Sequence, residues 1–125
     1  MKKMWMLFLG MAFLLASSPA YAAGTELMES FSFRLTIIEN GIEHQWEYDS
    51  PNHYEFESGE RVIKGEKAKE EVERVLEKIN LDERATIEEL VSRIQQSLYP
   101  KAESVDIRYM NGEGKLFTWV WHKPE

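Results

Sequence analysis

The sequence predicts an α+β domain: an antiparallel sheet of four to five strands with two helices packed on one face, in the order β-β-(β)-α-α-β-β. Three observations carry this expectation. Apolar and polar residues alternate from Phe31 to Ile37 and again from Val105 to Tyr109, the two-residue period of half-buried strands. Between these regions, two apolar stripes recur at helical spacing, Ala68-Val72-Val75-Leu76-Ile79 and Ile87-Leu90-Val91-Ile94-Leu98. Asn40-Gly41 and Asn111-Gly112-Glu113-Gly114 punctuate the strand regions as hairpin turns.

From the N-terminus, Lys2 and Lys3 precede an apolar run, Met4 to Ala16, and Ala20-Tyr21-Ala22 matches the small-x-small pattern read by signal peptidase. The run is shorter than the ~20 residues needed to span a bilayer. The expected organisation is a cleaved Sec-type signal peptide at 1-22, a flexible leader at 23-29 and one domain at 30-123, secreted and free of the membrane once cleaved. Without Lys2 and Lys3, 13 basic residues face 22 acidic ones, so the net charge moves from −7 to −9. That excess repels nucleic-acid phosphates and anionic lipid, which argues against both as partners. There is no cysteine, so neither disulfides nor a lipid anchor on cysteine are available and the core must carry stability.

In the first strand, Phe31, Phe33, Leu35 and Ile37 face one way and Ser32, Arg34 and Thr36 the other. After Asn40-Gly41, the return strand from Ile42 to Tyr48 sets Ile42, His44, Trp46 and Tyr48 against Glu43, Gln45 and Glu47. Ser50-Pro51-Asn52 breaks it, because proline cannot donate to a ladder. Tyr54 to Glu57 reads as a short third strand ended by a Ser58-Gly59 turn. The first helix is expected over Glu66 to Ile79. The second opens on Thr86-Ile87-Glu88-Glu89, a capping box, and stops before Pro100. Glu70 with Arg74 and Glu89 with Arg93 are candidate pairs worth tenths of a kcal/mol each. A last hairpin joins Glu103–Met110 to Lys115–His122.

Several short strings, "FSFRL", the "NG" turn, "GEKA" at Gly65 to Ala68 and "VDIRYMNGEGKLFTW", occur in an order that resembles the YusW-like family, over roughly residues 30 to 122. The resemblance implies a small exported protein of the kind found in Bacillus and its relatives. It supplies no catalytic residues. Some similar proteins carry a lipobox cysteine, which this chain lacks.

No catalytic site is legible. There is no Cys, G-x-S-x-G elbow, Walker loop, dinucleotide fingerprint, EF-hand or H-E-x-x-H helix, and the many acids offer accidental pairs with no implied pocket. No cofactor is expected. His44, His53 and His122 lack the close spacing of a zinc site, though His44 and His122 would meet if their strands were neighbours. Glu55-x-Glu57-x-x-Glu60 lacks the ordered loop of a calcium site and reads as a solvated acidic edge.

The closing strand carries the functional clue. Phe117, Trp119 and Trp121 share one face, while Leu116, Thr118 and Val120 share the other, so neither is polar. If the aliphatic face covers the core, the three aromatics form an exposed patch and are the candidate binding surface. If the aromatics face inward, they build the core of a chain without disulfides. The reading is a secreted, non-catalytic interaction domain that holds an unknown protein or peptide partner through its sheet face or edge. The alternative is a small exported ligand- or metal-binding protein.

Overall fold

The computed structural model describes residues 30–125; the expected signal peptide at 1-22 and leader at 23-29 lie outside the described residues. The elements run β1 (Ser32–Glu39), β2 (Ile42–Asp49), β3 (His53–Ser58), β4 (Arg61–Lys64), α1 (Glu66–Ile79), α2 (Ile87–Ser97), β5 (Ala102–Met110) and β6 (Leu116–His122). The strands form one antiparallel sheet in the spatial order β4-β3-β2-β1-β5-β6. The class is α+β, but the sheet has six strands instead of four to five. The missed strand is β4. Ser58-Gly59 ends β3 by turning the chain back, with Gly59 at φ +61°, a conformation that costs glycine nothing. β4 then spans only four residues, and its adjacent Val62 and Ile63 mask the alternation.

Asn40 and Gly41 have φ of 54° and 74°, so the β1–β2 turn takes the doubly left-handed form that this dipeptide favours. Trp46 and Tyr48 follow the inward face of β2, whereas Ile42 at its start is exposed. α1 lies over β2, β3 and β4, and α2 over β5 and β6. Their stripes meet the row Phe33, Leu35, Ile37, Val105 and Ile107, all buried at the centre of the sheet. Burial of each such side chain contributes about 1.5–3 kcal/mol.

The helix ends are closed by side chains as well as by backbone. Thr86 accepts from the Glu89 amide at 3.2 Å while its own amide donates to Glu89 Oε1 at 3.2 Å, completing the capping box. At the end of α1, Asn80 adopts the left-handed conformation. Arg93 of α2 reaches across to donate to the carbonyls of Ile79 and Asn80, at 3.1 and 3.2 Å, and also pairs with Glu89. On α1, Arg74 pairs with Glu71 at i,i+3 instead of with Glu70.

Candidate functional site

Among the described residues β6 is an edge strand, bonded only to β5, and its aromatic face turns toward the helices. Trp119 is 9% exposed and its indole N–H donates to the carbonyl of Ala85, just before α2, at 2.8 Å. Phe117 and Trp121 flank it, half-buried against the core, with the Phe117 and Trp119 rings 6.2 Å apart. Phe117, Trp119 and Trp121 therefore do not form an exposed aromatic patch. Leu116 and Val120, 55% and 49% exposed, occupy the outer face. The physical reason is size: the large rings fill the space under α2, which Leu and Val would leave partly empty.

The free side of β6 follows from its ladder. The Asn111 amide donates to the Lys115 carbonyl, and the Lys123 amide to the Glu103 carbonyl. In an antiparallel pair such bonded positions alternate, so Phe117, Trp119 and Trp121 also turn their amides and carbonyls toward β5. Those of Leu116, Thr118, Val120 and His122 point away from the sheet. This edge is seven residues long, has no acidic residue, lysine, arginine or proline, and keeps one register throughout. The opposite edge, β4, is four residues long and carries Arg61 and Lys64 at its ends.

The histidines do not converge. β1 and β5 separate the strands of His44 and His122, a gap of roughly 14 Å at ~4.8 Å per strand. His44 instead turns inward: its ring stacks on Tyr99 at 4.4 Å, and Nδ1 lies 2.8 Å from Ser58 Oγ. Ser58 thus has a partner beyond its turn. Burial holds the His44 imidazole below its ordinary pKa, an effect that Glu39 partly offsets. On the outer face, ligand atoms of Glu47, Asp49 and His53 lie within 4.8 Å of one another. Arg34 already engages Glu47 there, and Lys64 sits 3.5 Å from Glu55. Of the acidic stretch, Glu55 thus has a cationic partner, whereas Glu57 lies opposite Val62 and forms no ion pair among the described residues.

A cavity of about 460 Å³ opens between α1, the sheet and the end of α2. Trp46, Phe56 and Val75 form its apolar wall. Arg61, Arg74 and Lys78 line it from β4 and α1, with Glu71 as the one carboxylate. Tyr99 closes it beside Leu98. Burial, then Glu39 and Glu71, push the Tyr99 phenol up, so it stays protonated and can donate.

No known family model, curated protein or solved structure matches the chain. Geometry alone therefore carries the functional reading. Among the described residues, no helix is long and apolar enough to cross a membrane. The edge of β6 was within reach of the sequence, since the last strand of a hairpin often ends a sheet. The cavity was not: Arg74 and Lys78 share α1, but Arg61 and the aromatic residues beside them come from other elements, and the set forms no motif.

Proposed function

We propose that the chain is an exported, non-catalytic binding module that takes an extended segment of a partner protein as an added strand beside β6. The observation that supports this reading is the difference between its two sheet edges. Proteins blunt exposed edges by shortness, charge, proline or bulges. β4 is blunted by shortness and by Arg61 and Lys64; β6 has none of these devices along its seven residues. An added strand would gain the outward amides and carbonyls of Leu116, Thr118, Val120 and His122, and alternate side chains would give selectivity. Half-buried Phe117 and Trp121 offer such a segment an apolar shelf on the helix side. Lys115 and Lys123 bracket the strand, so the fitting segment has apolar residues at its centre and acidic ones at its ends.

The test is selection of extended peptides on the immobilised protein, followed by measurement of each binder against Thr118→Pro. Proline at 118 deletes an outward amide and leaves the β5 ladder in place. We expect acid-flanked, alternating peptides whose affinity falls at least tenfold, about 1.4 kcal/mol, with Thr118→Pro. Binders indifferent to this change would overturn the reading. A concentration-dependent dimer lost in Thr118→Pro would also overturn it, making the occupant a second copy.

A further inference from the structure

We infer that the cavity between α1, β2, β3 and the end of α2 is a binding site for a small aromatic carboxylate. Its volume, about 460 Å³, falls within the roughly 300–1,000 Å³ of small-molecule sites. Such sites combine an apolar lining with a few polar groups that fix orientation. The lining here is aromatic: the rings of Trp46 and Phe56 are 5.2 Å apart, and that of Tyr99 is 6.1 Å from Trp46. These rings pack on one another, with Trp46 and Phe56 only 3% and 8% exposed, so a ligand ring would meet their outer edges and the half-buried Tyr99.

Charge decides what the ring must carry. The chain holds 15 basic and 22 acidic residues, yet this cavity is lined by three cations and one carboxylate. Arg74 shares its charge with Glu71. Among the described residues, Arg61 and Lys78 form no ion pair. Two unpaired cations beside an aromatic wall attract an anion, and a guanidinium matches a carboxylate in two parallel hydrogen bonds. The protonated Tyr99 hydroxyl adds a neutral donor. A free phosphate would satisfy the cations but leave the aromatic wall unused; a neutral ring would do the reverse.

The cavity lies over β2 and β3, with β1 and β5 between it and the β6 edge. The two sites can therefore fail separately. The experiment is an NMR titration of the protein with three probes: N-acetyltryptophan, its neutral amide and inorganic phosphate. Saturable binding of the acid is expected, with shifts at Trp46 and Val75. The amide and phosphate should each bind at least tenfold more weakly, since removing the charge or the ring deletes one half of the recognition. Arg61→Gln and Lys78→Gln should each weaken the acid severalfold, Glu71→Gln should tighten it, and Thr118→Pro should leave it unchanged. Equal binding of acid and amide, no saturation by the acid into the millimolar range, or indifference to both cation variants would overturn the inference.

Discussion

The indole of Trp119 on β6 donates its N–H to the backbone carbonyl of Ala85, 2.8 Å away and 34 residues earlier in the chain. Ala85 stands immediately before Thr86, the N-cap of α2. One side-chain bond thus ties the edge strand to the start of the helix that covers it. Trp119→Phe keeps an aromatic ring but leaves the Ala85 carbonyl without this donor. The expected cost is about 1–3 kcal/mol, read as a lower urea midpoint at unchanged slope. A change under about 0.5 kcal/mol would show that the bond contributes little beyond ring packing.

Two prolines on neighbouring residues should behave differently. The Phe117 amide points to β5, whereas the Thr118 amide points outward. Phe117→Pro breaks the ladder and is expected to lower stability by about 3 kcal/mol or more, while Thr118→Pro should cost far less. Thermal unfolding of the two variants decides it. Equal losses would mean that the register of β6 differs from the one described.

Arg93 holds the last carbonyls of α1 from the neighbouring helix. Arg93→Ala should destabilise by about 1–2 kcal/mol, more than the tenths expected for its exposed pair with Glu89 alone. Hydrogen exchange should quicken in the last turn of α1. If exchange there stays unchanged, Arg93 acts only within its own helix.

His44 gives a pH dependence with a definite sign. Its ordinary pKa of 6.5 is lowered in the folded state, chiefly by burial against Tyr99 and Ser58. Just below pH 6.5 the unfolded chain binds more protons at this residue than the folded one. This contribution to stability is therefore present at neutral pH and is lost as pH falls from 6.5 through the folded pKa. His44→Gln keeps a neutral hydrogen-bonding group and should flatten the urea midpoint between pH 7 and 5.5 relative to the parent. A parent and variant with parallel profiles would assign the slope to other groups.

Much of this fold was legible locally. α1 begins at Glu66 and ends at Ile79 as its apolar stripe implies, and Thr86 and Glu89 form the expected box. What escaped was set by distant partners. The two faces of β6 are both apolar, so periodicity could not choose between them; the space under α2 and the carbonyl of Ala85 did. β4 was hidden by its length. The pairing of Arg74 with Glu71 instead of Glu70 depends on rotamers that spacing does not specify. At the cavity, Arg61, Arg74 and Trp46 come together only through the β2–β3–β4 meander and the helix laid over it.

The place of β1 in the sheet also bears on how the chain reaches its native state. It is the first strand to emerge, yet it sits inside the sheet with β2 on one side and β5 on the other. Thr36 meets Gln45 across a tight turn but must wait some 70 residues for Asp106. During synthesis, the meander of β1 to β4 can zip early, while the other flank of β1 stays unpaired beside Phe33, Leu35 and Ile37. Pairing across such a separation is slow, because the loop closes before any contact rewards it. That late closure keeps the sheet, and the core it covers, incomplete until nearly all of the chain has been made.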